Sequence, residues 1–283
     1  MMINTTRRHL LAAGPLAWVS APAAAASAIP VLAVALGSGS LHGHAHIGVI
    51  REFERQGVKP DLIVGTSVGA IVGALWAAGL TGREIEEASK QFKFMRTLEF
   101  TWARRGLFNN EGLQDMIRTL TKGRSIESWP TRFAAVASDL ANGERVVINS
   151  GDAGVAVAAS ASLPVVCVPV PWSGRMLVDG ALTEPVPSRA ARELGATRVV
   201  AVDISYRPDS APVSSMVDSV FQTMHILVKS LIEEQARFAD VAIRLDLHQL
   251  MHGVEHYEHV LLEAGQAATR LAWPRIVVTS RSS

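Results

Sequence analysis

Leu62-Ile63-Val64-Gly65-Thr66-Ser67-Val68-Gly69 is an apolar strand end that runs into the pattern Gly65-x-Ser67-x-Gly69. Ala70-Ile71-Val72-Gly73-Ala74-Leu75-Trp76 follows as a helix-like run. A strand, a tight turn and a helix place one serine hydroxyl at a helix N-terminus, where it can serve as a nucleophile. The two glycines leave room for a turn that larger side chains would obstruct. The five-residue pattern alone is a weak signal; the strand before it and the helix after it supply the context that makes Ser67 a candidate catalytic residue.

Upstream, Pro30 to Leu36 is a short continuous apolar run, which reads as a buried parallel strand. Gly37-Ser38-Gly39-Ser40-Leu41-His42-Gly43 follows as a glycine-rich loop, and a helix is expected from His44 to Gln56. Downstream, helices are expected at 82–94 and 111–121. Strands are expected at 133–138 and 145–148, joined by the turn Ala141-Asn142-Gly143-Glu144. A small-residue helix at 153–160 precedes a proline-punctuated apolar stretch at 163–172, and Met176-Leu177-Val178 leads into Asp179-Gly180. A helix at 187–194, a strand at 198–202, a long helix at 213–238, a strand at 241–245 and a helix at 255–272 complete the chain. This alternation of strands and helices, without repeats or a long linker, predicts one α/β domain.

The bulk composition agrees. Of 283 residues, 48% are apolar and 19% charged, which suits a sheet covered on both faces. The formal charge of +1 gives no reason to expect a nucleic-acid partner. The single cysteine, Cys167, excludes an intramolecular disulfide and lies in the apolar setting Pro164-Val165-Val166-Cys167-Val168-Pro169, where it reads as a small buried hydrophobe. Thr6-Arg7-Arg8-His9-Leu10-Leu11 is a twin-arginine pair ahead of a short apolar stretch, and Ala26-Ser27-Ala28 has the small-x-small form of a cleavage site. Residues 1–28 are therefore expected to be a twin-arginine export signal, residues 29–283 the folded domain, and the location periplasmic. Removing that signal takes away two arginines and no acid, leaving one acidic residue in excess.

A serine that attacks an ester needs a proton acceptor, donors for the oxyanion and a place for the acyl chain. The glycine loop leaves the C-terminal end of the first strand, and Ser67 leaves that of the next. One right-handed crossover puts both turns on the same sheet edge. The backbone N–H groups of Ser38, Gly39 and Ser40 are the candidate oxyanion donors. A dinucleotide fingerprint needs Gly-x-Gly-x-x-Gly, whereas the glycines here fall at 37, 39 and 43, and no Lys-Ser/Thr follows for a P-loop. Val178-Asp179-Gly180-Ala181 places a carboxylate at the end of a short strand, and Asp179 is the candidate base. A free aspartate, with a pKa of about 4, is a poor base, so the site must desolvate it or couple proton transfer to attack.

His42, His44 and His46 straddle a loop–helix boundary and should not share a face, so no metal is expected there. His248, His252, His256 and His259 are interrupted by Gly253 and read as a polar face, but one of them could complete a conventional Ser–Asp–His order with Asp179. The 213–238 segment reads as a core helix, with the lip of an acyl cleft as its functional version. Trp102, Arg104 and Arg105 read as a surface loop, with an interfacial lid as the alternative.

Together these residues resemble the patatin-like phospholipase family over residues 31–205. Ala35 to Val49 resembles its oxyanion loop and first helix, and Gly65 to Gly69 its nucleophile turn. Ser138-Asp139-Leu140, Gly143-Glu144, Ser160-Ala161-Ser162-Leu163-Pro164, Pro169-Val170 and Asp179-Gly180-Ala181 resemble its later signatures. The resemblance implies a three-layer α/β/α sandwich with a mostly parallel central sheet. It also implies a Ser67–Asp179 dyad without histidine, no cofactor or metal, and hydrolysis of a lipid or other acyl ester, with peripheral contact to a membrane surface. The family's loop has Gly-Gly-Gly-x-Arg/Lys-Gly, where this chain has Ser38-Gly39-Ser40-Leu41-His42-Gly43. Two glycines are serines, and a histidine replaces the permanent cation. A catalytically weakened lipid-binding or regulatory protein on the same scaffold is the alternative this departure keeps open.

Overall fold

Strand β1 (Leu32–Leu36) is apolar at every position because helices cover both of its faces. The computed structural model describes residues 30–91, 99–103, 106–205, 214–245, 247 and 257–281. Val34 and Leu36 point to one side of the sheet, into a large core with α1 (His44–Arg55), α2 (Val68–Ala77), α4 (Glu111–Leu120), α5 (Ala153–Ser160) and α8 (Tyr257–Arg281). Ala33 and Ala35 point to the other side and meet Ala190 and Ala191 of α6 (Ser188–Glu193). The period of two along one strand thus separates two cores and produces the expected three layers. The bulky residues of β1 face the thicker helical layer.

Five strands run parallel in the order β10 (Val241–Arg244), β9 (Arg198–Asp203), β1, β2 (Leu62–Thr66) and β5 (Arg132–Asp139). Three antiparallel strands extend the sheet beyond β5: β6 (Arg145–Ile148), β7 (Val170–Trp172) and β8 (Arg175–Asp179). The register on β5 has a consequence for the site. Strands β2 and β6 both pair with Ala135 and Val136, so they occupy opposite edges of β5. Strands β6 and β8 both pair with Ala137 and Ser138, so they too are opposite. It follows that β2 and β8 share one edge and approach each other end to end, with Thr66 opposite Val136 and Asp179 opposite Ala137.

Several elements depart from their sequence expectations. The segment around Trp102, read as a surface loop, contains β3 (Glu99–Ala103) and β4 (Gly106–Asn109), an antiparallel ribbon. Its second strand also bridges to a stretch distant in sequence: Phe108 N–H donates to the Val166 carbonyl at 2.9 Å, and the Phe108 carbonyl accepts from Val168 N–H at 2.9 Å. Arg104 and Arg105 lie outside the described residues, as do 92–94 of the expected helix that begins as α3 (Gly82–Gln91). The last helix runs to Arg281 rather than stopping near 272, and it carries Pro274. Two residues beyond that proline, which lacks the N–H for a helix hydrogen bond, Ile276 is buried in the core. Helix α7 (Met216–Gln235) is less a core helix than expected: Val228 and Ile232 are buried against Ala181, Val186 and Ala201, while Met216, Val220, Ile226 and Leu227 are exposed.

Phe53 joins α1, α2 and α8, with its ring edge-on to Trp76 at 5.8 Å and to Trp273 at 5.2 Å between centroids. It is fully buried. Phe53→Ala should cost about 3–5 kcal/mol of stability, read from urea denaturation midpoints at unchanged m-value.

Candidate active site

Ser67 sits between the last residue of β2 and the first of α2, and caps that helix. Its backbone adopts φ 57° and ψ −124°, which a non-glycine residue accepts only at a cost of about 1–3 kcal/mol. The flanking glycines make the turn possible. A Cβ on Gly65 would lie 2.4 Å from the Gly69 carbonyl oxygen, and one on Gly69 would lie 2.1 Å from that of Leu36. The second contact brings the first turn of α2 against the end of β1, where the glycine loop begins.

Asp179 ends β8 and faces Ser67 because the two strands meet on one edge of β5. Ser67 Oγ donates to Asp179 Oδ2 at 2.7 Å, and Ala181 N–H donates to Asp179 Oδ1 at 2.8 Å. The adjacent Gly180 packs on the strand itself, where a Cβ would stand 2.1 Å from the Val136 carbonyl oxygen. The carboxyl is 2% exposed, and this burial pushes its pKa up to about 6, against the opposing pull of the Ala181 and Ser67 hydrogen bonds. A carboxylate near 6 is a better proton acceptor at neutral pH than a free one near 4.

The glycine loop lies beside this pair. A Cβ on Gly43 would meet the Val68 side chain at 2.5 Å, so the loop rests on the residue after Ser67. Ser38 does not fit its expected donor role: its N–H is already given to the Pro185 carbonyl at 2.8 Å, as that of Gly37 is to Val202 at 2.9 Å. Ser67 N–H is likewise engaged, by Ser160 Oγ at 2.9 Å. Gly39 and Ser40 remain at the start of a single 3-10 turn (Ser40–Gly43), where the first N–H groups have no intrahelical acceptor. Ser40 has φ 45°, so its substitution for glycine carries backbone strain of about 1–2 kcal/mol.

Two of the three clustered histidines tie the loop in place, and the third bonds elsewhere. His42 Nδ1 donates to the Ile204 carbonyl at 2.8 Å, His46 Nε2 donates to the Gly37 carbonyl at 2.8 Å, and His44 meets Ser89 Oγ at 3.0 Å. Burial holds the His46 pKa down to about 4, so the ring is neutral and acts as a fixed strut. His259 is exposed on α8 near Glu263, and His248, His252 and His256 lie outside the described residues. Cys167 is buried, with its thiol pushed up to about 11, mainly by burial and further by the Asp179 charge.

The sequence reading missed a layer of polar support. Ser160 Oγ donates to the Val136 carbonyl at 2.6 Å while accepting Ser67 N–H. Asp179 N–H donates to the Ser162 carbonyl at 2.9 Å, and Ser162 Oγ accepts from Asn110 Nδ2 at 2.7 Å. Asn110 Nδ2 also donates to the Val168 carbonyl at 3.2 Å. The motif Ser160-Ala161-Ser162 was visible in the sequence; the atoms its hydroxyls would reach were not.

The profile of the family described as Patatin-like phospholipase matches residues 34–192, more than half of the chain. An uncharacterized NTE family protein of Mycobacterium tuberculosis is 34% identical over 181 residues, covering 63% of this chain and 50% of that protein. Patatin-like phospholipase domain-containing protein 7 of Mus musculus is 31% identical over 187 residues, covering 63% of this chain and 14% of that protein. The chain thus spans half or less of these relatives' lengths. Among solved structures, VipD from Legionella pneumophila superposes with a TM-score of 0.57 at 11% identity, covering 88% of this chain and 67% of that one. The type III effector protein ExoU superposes at 0.50 with 16% identity, covering 88% and 54%. These two likenesses speak to the fold.

Raising the Asp179 pKa has a cost that can be measured. With a folded value of about 6 and an unfolded value of about 3.9, the carboxyl favours the folded state while protonated. That contribution is complete below pH 4 and is lost as pH rises through 6, amounting to about 3 kcal/mol by pH 7. Asp179→Asn cannot ionise. Its melting temperature should exceed the wild type's by a margin that grows between pH 4 and pH 7, as read by thermal unfolding across that range. A constant margin would contradict the assignment.

Proposed function

The chain belongs to the patatin-like phospholipase family, and from that premise we propose that it is a serine lipid acyl hydrolase that works through a Ser67–Asp179 dyad. The observation that carries the proposal is the direct bond from Ser67 Oγ to Asp179 Oδ2, with the other carboxylate oxygen taken by Ala181 N–H. In a Ser–His–Asp triad the aspartate would bond the histidine rather than the serine. Both Asp179 oxygens are committed here, one of them to the nucleophile itself, which supports the two-residue reading.

In this chemistry Ser67 Oγ attacks the ester carbonyl as its proton passes to Asp179 Oδ2. The oxyanion is received by the N–H groups of Gly39 and Ser40, and the N-terminal dipole of α2 adds to the same field. Collapse breaks the ester C–O bond, and the leaving alcohol takes the proton back from Asp179. Water, activated by the same carboxylate, then releases the acid and restores Ser67. The substrate class we propose is a lipid acyl ester presented at a membrane surface or aggregate. The exposed Leu41 beside the donor loop and the exposed apolar residues of α7 support an apolar approach. Among the described residues no helix is long and apolar enough to cross a membrane. The Arg7-Arg8 pair and Ala26-Ser27-Ala28 support export to the periplasm as part of the same proposal.

A fluorophosphonate probe should label Ser67 on the folded protein, as read by peptide mass spectrometry. Ser67→Ala should lower turnover of a panel of acyl esters by at least 10³-fold, and His259→Ala should leave it within twofold of wild type. Lipid binding without acyl release, unchanged in Ser67→Ala, would replace the hydrolase by the binding-protein reading. The strained Ser40 in the donor loop is the observation that would then explain it.

A further inference from the structure

Val136 lies on β5 where the two strands that share one of its edges, β2 and β8, both end. Thr66, the last residue of β2, is its register partner, and Asp179, the last of β8, pairs with the next residue, Ala137. The Val136 carbonyl therefore stands in the gap from which both members of the dyad project. Two groups converge on it. Gly180 packs so closely that a Cβ would stand 2.1 Å from the oxygen, and Ser160 Oγ donates to it at 2.6 Å.

Ser160 is the last residue of α5 and is fully buried. Its hydroxyl has a single proton, and a carbonyl can only accept, so that proton goes to Val136. The oxygen is then turned to accept, and what it accepts is the N–H of Ser67 at 2.9 Å. Direction is forced at both ends, since a backbone N–H can only donate. Helix α5 gives the hydroxyl a fixed origin: Asp152 caps it through Val155 N–H at 3.2 Å, and Ala153 and Ala156 to Ala159 are buried around it.

We propose that Ser160 is a positioning residue for the nucleophile, tying the Ser67 peptide to the same β5 carbonyl on which the Asp179-Gly180 turn rests and so setting the distance between the two reacting groups. The inference rests on the hydrolase reading above and adds to it a residue that never touches substrate. The Ser67 peptide is in a left-handed conformation that a serine leaves readily when it can. With the Ser160 oxygen gone, Ser67 N–H loses its acceptor, the peptide relaxes, and Oγ moves off Asp179. Because misplacement of a nucleophile by about 1 Å costs on the order of 10²-fold, the loss belongs in kcat rather than KM.

A second readout separates positioning from plain support. The Ser67 hydroxyl bond pulls the Asp179 pKa down against the larger effect of burial. The Ala181 N–H makes the same kind of contribution from the turn after β8, and the Cys167 thiol senses the Asp179 charge but stays protonated to about pH 11. If Ser67 drifts, one downward pull weakens, and the acid limb of the kcat profile moves to higher pH.

The experiment compares full-length wild type with Ser160→Ala, Ser160→Cys and Ala156→Gly on a soluble short-chain acyl ester. Turnover is normalised to folded protein by thermal unfolding. Ser160→Cys keeps the side-chain volume but offers a poor acceptor, so it remains informative if the alanine variant does not fold. Both Ser160 variants should lose about 10–100-fold in kcat with KM within twofold, and their acid limb should rise. Ala156→Gly, a buried change in the same helix without a hydroxyl, should lower the melting temperature and leave kcat and the acid limb in place. The proposal is overturned if Ser160→Cys keeps wild-type kcat and acid limb, or if Ala156→Gly reproduces both changes. A wild type that releases no acid from the ester overturns the hydrolase reading and this inference with it. An active wild type with unaffected Ser160 variants overturns the inference alone.

Discussion

One edge of strand β5 governs the site. Two strands that reach it from opposite directions must stop before they collide, and the place where they stop is fixed by backbone register rather than by any side chain. Thr66 and Asp179 are their last residues, so the Ser67 hydroxyl and a carboxylate emerge from a gap one peptide wide. A glycine at 180 lets the second strand turn away directly above the Val136 carbonyl, and the serine turn leaves the first strand on the same level. The 2.7 Å contact of Oγ and Oδ2 follows from where the two strands stop along that edge, one register position apart on β5.

Fold stability is spent at this gap in two forms. Ser67 and Ser40 hold left-handed backbone conformations, and Asp179 carries a charge into a desolvated position above pH 6. The surrounding layers absorb these costs. The large core beneath the sheet, with Phe53 between two indoles, is densely apolar, and α1 and α8 pack against one another at its rim. Loop anchors come from buried histidines: His46, held neutral by its burial, bonds Gly37, and His42 bonds Ile204. A histidine at position 42, where the family carries a permanent cation, thus acts here by donating a hydrogen bond.

The architecture was largely legible in the sequence. Strands buried on both faces write themselves as apolar runs, as Leu32–Leu36 does, and short glycine-rich connections mark where the chain turns over the sheet edge. Ser67, its flanking glycines and Asp179-Gly180 stood out because turn geometry restricts residue choice. What stayed hidden depends on contacts between distant parts of the chain. Ser38 looked like an oxyanion donor until Pro185, 147 residues on, took its N–H. The segment around Trp102 looked like a loop, and nothing local in Val166 to Val168 signals its pairing with Phe108. Helix α8 passed through Pro274 because burial outweighed local propensity. Ser160 could be seen as a motif residue, but the two atoms it joins lie on different strands.

The bond between Ser67 and Asp179 joins residues 112 positions apart, and between them run the β3–β4 ribbon, β5 and the whole antiparallel extension of the sheet. Contacts of such separation form late, after the loop entropy of everything enclosed has been overcome. A chain still being synthesised, or one only partly collapsed, holds Ser67 without Asp179 beside it. Under the proposed chemistry, a nascent chain is therefore inert toward lipid, and hydrolytic power arrives in one step with topological completion.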